Sequence, residues 1–145
     1  MKELEQFLLR AESVLARVEA MLTARAPEIE WSATAFRWRV GRDQRGYLSA
    51  VAHPSRIRLD DLHNITPQKQ QIEQNTQQFI RGLPANNVLL TGARGTGKSS
   101  LIKACLAEFA DQGLRLIEVD KEHLVDLPDI VDLVAARPER FIIDR

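Results

Sequence analysis

The chain has 145 residues, 44% hydrophobic and 28% charged, which is enough apolar side chain for one ordinary core and enough charge to keep it in water. Twenty basic residues balance twenty acidic ones, which excludes a global field drawing the protein to nucleic acid or membrane; any such binding has to be local. The single cysteine, Cys105, excludes an intrachain disulfide and, on the core face of a helix, reads as a buried structural thiol.

Glu3, Glu5, Arg10 and Glu12 interrupt the first apolar residues, so no signal-peptide core is expected, and no stretch reaches the roughly 18 apolar residues of a membrane span. A cytoplasmic location without a membrane partner is the expectation. Residues 2–25 read as one amphipathic helix ended by Pro27, with Leu4, Leu8, Ala11, Leu15, Val18 and Leu22 at alternating intervals of four and three. Phe7, Val14 and Met21 make the apolar stripe broader than a two-stranded seam. Such a helix docks on its own domain or binds a partner, another copy included.

From Ile29 to Val51 aromatic residues alternate with arginines: Phe36 and Trp38 with Arg37 and Arg39. That alternation predicts a half-buried strand, and Gly41–Gly46 a hairpin turn into a second one. Interleaved rings and guanidinium groups also suit single-stranded nucleic acid. Alternation sends them to opposite faces, however, so a packed hairpin with a solvated side is the favoured reading. A helix over Pro67–Leu83 follows, with Ile72, Thr76, Phe79, Ile80 and Leu83 on one face, Thr66 and Pro67 at its start, and Gly82 and Pro84 at its end.

Val88–Leu90 predicts a short buried strand, and Ser100–Gln112 a helix stopped by Gly113. Between them, Gly92–Ser99 (GARGTGKS) fits G-x-x-x-x-G-K-[ST], the loop that wraps a nucleoside triphosphate. A polyphosphate needs several inward-pointing backbone N–H groups, and Gly92, Gly95 and Gly97 let the backbone come that close, with Ala93, Arg94 and Thr96 between them. Lys98 supplies a point charge for the terminal phosphates, the Ser99 hydroxyl a ligand for Mg²⁺, and Ser100 a further donor in the opening turn. The helix N-terminus points at the anion. Leu114–Val119 then predicts a strand, Pro128–Ala136 a helix and Phe141–Ile143 a third strand, a β-α-β-α-β series that forms a parallel sheet.

With these residues the chain resembles the AAA+ branch of P-loop ATPases, and especially a bacterial family of predicted AAA+ ATPases of unassigned role. The similarity runs from Phe36 to Ile143 through FRWR, GYLSAVAHP, IRLDDL, LPANNVLL, GARGTGKSSLIKA, QGLRLIEVDKE, LPDIVDL and RPERFII. Thr91 stands where that family usually carries a bulky aromatic, a change that alters packing and removes no phosphate contact. The resemblance implies that the Asp60–Ile65 region holds adenine, with Leu62 and Ile65 as apolar contacts; simple packing under the nucleotide domain uses the same two residues. It also implies an acidic pair after the third strand, one carboxylate supporting Mg²⁺ and one polarising the attacking water. Here Asp144 follows only three apolar residues and precedes Arg145. Asp144 is therefore a candidate displaced Mg²⁺ ligand or simply a charge at the chain end, and no residue is assigned as catalytic base.

The expected fold is α/β: a P-loop NTPase (AAA+) parallel sheet with flanking helices, incomplete at the C-terminus. It comprises an amphipathic helix (1–26), a small β-hairpin region (27–58) and a partial nucleotide-binding domain (59–145). The strand that the family inserts beside the P-loop strand, the sensor residues, the arginine finger and the lid lie beyond this sequence, so it reads as an N-terminal portion. An open sheet edge beside Val88–Leu90 would promote self-association. The expected function is an ATP-binding AAA+ module, with ATP and Mg²⁺, that in full-length form couples hydrolysis to remodelling of an unknown protein partner. The alternative is a non-enzymatic protein- or nucleic-acid-binding module with a vestigial P-loop, nucleic acid being the less favoured. A small-molecule kinase shares the loop but lacks room for an acceptor site. No N-K-x-D motif is present, which favours ATP over GTP.

Overall fold

The computed structural model describes residues 1–23, 27–84 and 97–145; the expected strand Val88–Leu90 and the loop from Thr91 to Thr96 lie outside the described residues. The chain divides into two compact units, Met1–Glu28 with Val40–Tyr47, and Ile29–Arg39 with Leu48–Arg145.

In the first unit, α1 (Lys2–Thr23) carries acidic Glu3 and Glu5 in its first turn, where they complement the helix dipole. Its apolar residues Leu4, Phe7, Leu8, Val14, Leu15, Val18, Met21 and Leu22 are all exposed. Among the described residues of this unit, nothing covers the stripe. The hairpin tip closes through Gly41 N–H to Arg45 O at 2.9 Å and Gln44 N–H to Gly41 O at 3.1 Å, with Gln44 in the left-handed region.

The second unit is built on a mixed four-stranded sheet in the order β2-β1-β3-β4: β1 Ala35–Val40, β2 Gly46–Ala50, β3 Leu114–Glu118 and β4 Arg140–Asp144. The expected parallel sheet is thereby extended: the hairpin, expected to precede it as a region of its own, joins it and makes it mixed. β1, β3 and β4 are parallel, with Phe36 opposite Ile117 and Leu116 opposite Ile142, while the hairpin adds β2 outside β1. Periodicity reveals a strand's faces but not its neighbours. The attachment of β1 to β3 was accordingly invisible in the sequence.

Alternation sorts the side chains onto two layers. Ala35, Leu114, Leu116 and Ile142 pack with Leu106 and Phe109 of α3 (Lys98–Phe109) and with Phe79 and Ile80 of α2 (Thr66–Ile80). On the opposite face Phe36 and Phe141 meet Trp31, with ring centroids 5.9–6.4 Å apart in tilted and edge-on arrangements. There the Trp38 indole N–H donates to Asp126 Oδ2 at 2.9 Å. Asp126 ends a 3-10 turn (Lys121–Asp126) that leads into α4 (Leu127–Val134), whose Ile130 is fully buried. Phe36 and Trp38 therefore face the core and Arg37 and Arg39 do not, as the alternation requires.

Two helix ends differ from expectation. The last non-helical residue before α2 is Ile65, so Thr66 and Pro67 are its first two helical residues rather than cap and first residue. Proline is tolerated anywhere in that opening turn, because its missing N–H would have no intrahelical acceptor. α3 passes into a 3-10 turn, Ala110–Gln112, and Gly113 at φ 97° closes it as the sequence predicted. Arg115 Nη1 donates to Ala110 O and Leu114 O, both at 2.8 Å, satisfying carbonyls at this corner.

Phe36 is fully buried at the meeting of β1, β3 and the aromatic cluster. Phe36→Ala is expected to cost about 3–5 kcal/mol in urea-induced unfolding, the lost transfer energy adding to that of the cavity.

Candidate functional site

α3 presents the end of the glycine loop. Gly97 precedes it at φ 83°, a left-handed conformation that a Cβ would strain, and its carbonyl accepts the first intrahelical bond, from Leu101 N–H at 2.9 Å. Lys98, Ser99 and Ser100 thus form the first turn, where backbone N–H groups have no partner within the helix. Ser99 is exposed; Lys98 and Ser100 are half-buried. Gly92, Ala93, Arg94, Gly95 and Thr96 lie outside the described residues.

What fixes the first turn is the packing behind it. Leu101, Ala104 and Cys105 pack with Leu59 and Ile72, and Ile57, Leu62 and Ile65 border that cluster. Leu62 and Ile65, the two candidate adenine contacts, are brought against the flank of α3. The segment is held by a 3-10 turn, Leu59–Asp61, in which Asp61 Oδ2 accepts from Arg58 N–H at 2.9 Å, and by Lys69 Nζ donating to Leu62 O at 3.1 Å.

α3 runs antiparallel to β3: its C-terminal corner meets the start of the strand through Arg115, and its Lys103 Nζ lies 3.8 Å from Glu118 Oε1 at the strand's end. The first turn of α3 therefore shares a side of the sheet with the carboxyl ends of β3 and β4, where ligands bind in open α/β sheets. Asp144 ends β4 there, opposite Glu118; its carbonyl accepts from Val119 N–H and its Oδ1 from Arg145 N–H. Glu118 is committed elsewhere. Its Oε2 accepts from Arg37 Nη2 at 2.6 Å and Nε at 3.2 Å, and this bond pushes the Arg37 guanidinium further above its usual range. Glu118 was missed as a member of this end of the sheet; the run LIEVD, an apolar strand with two carboxylates at its end, was the available signal. Among the described residues no three His, Cys, Asp or Glu side chains converge as a metal site.

An open cavity of about 510 Å³ lies elsewhere, lined by Ala52, His53, Pro54, Ser55, Arg56, Arg58 and Ala107. Ala107 is nine residues along α3 from Lys98, roughly 13 Å of helical rise, so this cavity does not coincide with the glycine-loop end.

Residues 31–144 match the family described as Protein of unknown function (DUF815), and the chain belongs to that family. No curated protein and no solved structure matches it.

Cys105 is 2% exposed, and burial, with the Glu73 charge adding to it and a bond with Thr76 opposing it, pushes its thiol from 9.0 up to about 11. Below 9.0 both the folded and the unfolded chain keep the proton; between there and about 11 the unfolded chain loses it first, so stability falls as pH rises. The expected loss is about 2–3 kcal/mol. Denaturant unfolding across that alkaline window should show this descent, and Cys105→Ala should lack it.

Proposed function

We propose that this chain is the nucleotide-binding part of an AAA+-type P-loop ATPase that binds ATP with Mg²⁺. The observation that carries the reading is the complete Gly92–Ser99 motif running directly into the first turn of α3, which is anchored from behind by Leu101, Ala104 and Cys105. In this reading the backbone N–H groups at the start of that turn and the Lys98 ammonium bind the β- and γ-phosphates. The exposed Ser99 hydroxyl suits Mg²⁺, which takes hard oxygen ligands and keeps phosphate oxygens among them. Asp144, at the same side of the sheet, is the carboxylate that would support the metal through water. Bound Mg²⁺ would supply charge neutralisation between the phosphates. Leu62 and Ile65 flank α3 where an adenine ring would lie against apolar surface, and in the absence of base they pack its core.

Coupling of ATP hydrolysis to remodelling of a protein partner belongs to the same proposal. The reading as a nucleic-acid module is disfavoured by burial: Phe36 and Trp38 are 0% and 3% exposed, so neither ring offers a face on which a base could stack.

The test is equilibrium binding of ATP with and without Mg²⁺. Lys98→Ala should weaken ATP binding by about tenfold or more, the loss of one charge-assisted phosphate contact. Ser99→Ala should remove most of the Mg²⁺ dependence. Both substitutions lie outside the packed cluster behind α3, so far-UV circular dichroism should keep the wild-type spectrum. Equal ATP binding by Lys98→Ala and wild type would refute the assignment.

A further inference from the structure

We infer that α1 assembles copies of this chain into a parallel helical bundle. The inference stands apart from nucleotide binding and rests on which charges border the apolar stripe. Leu4, Ala11 and Val18 run along its centre, Leu8, Leu15 and Leu22 along one side, and Phe7, Val14 and Met21 along the other. Apart from half-buried Ala11, all of these are exposed within their unit, with Leu8, Leu15 and Val18 at 56%, 64% and 45%. A continuous stripe of this length on an isolated helix is not a stable state in water.

Beyond the first turn, where Glu3 lies on the same border as Phe7, the two borders of the stripe carry opposite charge. Glu5, Glu12 and Glu19 lie three or four residues from Leu8, Leu15 and Leu22 and form one edge; Arg10 and Arg17 lie three or four residues from Phe7, Val14 and Met21 and form the other. When such helices pack in parallel, the left edge of each meets the right edge of the next, so the acidic edge faces the basic one. Glu12 of one copy and Arg10 of the next are then two residues apart in height, about 3 Å of rise, as are Glu19 and Arg17. Antiparallel packing turns like edges together and sets Glu12 against Glu12. The charge pattern therefore selects parallel copies of α1 over antiparallel ones. Three apolar positions per heptad, rather than two, make the buried face wide enough for more than two helices.

The oligomeric state of the whole chain, measured by sedimentation equilibrium, tests this. Wild type should associate, and Leu8→Glu with Leu15→Glu should be monomeric. Glu12→Arg should weaken association roughly two- to fivefold per contact, and adding Arg10→Glu to it should restore association, because the pair is re-formed with its signs exchanged. Leu4→Cys should cross-link chain to chain on mild oxidation, since parallel copies bring residue 4 to residue 4; buried Cys105 should not react. Unchanged near-ultraviolet circular dichroism from Trp31 and Trp38 would show that the substitutions leave the sheet intact. A monomeric wild-type chain, with α1 covered by its own second unit, would overturn the proposal. So would failure of the double charge reversal to restore association, or absence of the Leu4→Cys cross-link.

Discussion

The second unit depends on β3 being buried on both faces and paired along both edges. Leu114, Leu116, Ile117 and Val119 are almost fully enclosed, with β1 hydrogen-bonded on one side and β4 on the other. A strand in that position needs apolar side chains in both directions, which is why LRLIEV reads as a near-continuous run rather than an alternation. Full burial contributes about 1.5–3 kcal/mol for each such side chain. It also fixes direction. Because slipping β3 by one residue would turn Glu118 away from Arg37 and Lys103, the antiparallel α3 is fixed with it, and the helix start is held at the carboxyl end of the sheet.

At that end the charges are already apportioned. Glu118 accepts from Arg37 on β1 and stands near Lys103 on α3, so one carboxylate ties three elements together just below the first turn of the helix. The pairing is exposed enough that its worth lies in geometry more than energy. It removes Glu118 from competition for a cation and leaves Asp144 as the carboxylate at the tip of β4.

Much of this was legible in the sequence because it obeys short-range rules. The period of two in FRWRV gave the buried Phe36 and Trp38, and the spacing of Leu101, Cys105 and Phe109 gave the core face of α3. Gly113 and Gly82 gave two ends, each at a positive φ that other residues adopt at a cost. Long-range pairing was not legible: nothing in FRWRV says that its edge would meet LRLIE some eighty residues later. Nor was the 3-10 turn Lys121–Asp126, whose role comes from Asp126 receiving the Trp38 N–H, a contact between residues 88 apart in sequence. The motif signalled a helix opening beside Lys98, Ser99 and Ser100, whereas the commitment of Glu118 to Arg37 needed the sheet order.

The aromatic residues opposite α3 have an optical consequence. Both tryptophans of the chain, Trp31 and Trp38, belong to that layer, one against Phe36 and Phe141 and under the Arg137 guanidinium at 4.5 Å, the other bonded to Asp126. The sheet stands between them and the first turn of α3. Intrinsic fluorescence of this protein is thus a gauge of how β4 and the Lys121–Asp126 turn seat on the sheet, and is nearly blind to local events at Lys98. A ligand at the helix start that did change the emission would have to move the sheet itself.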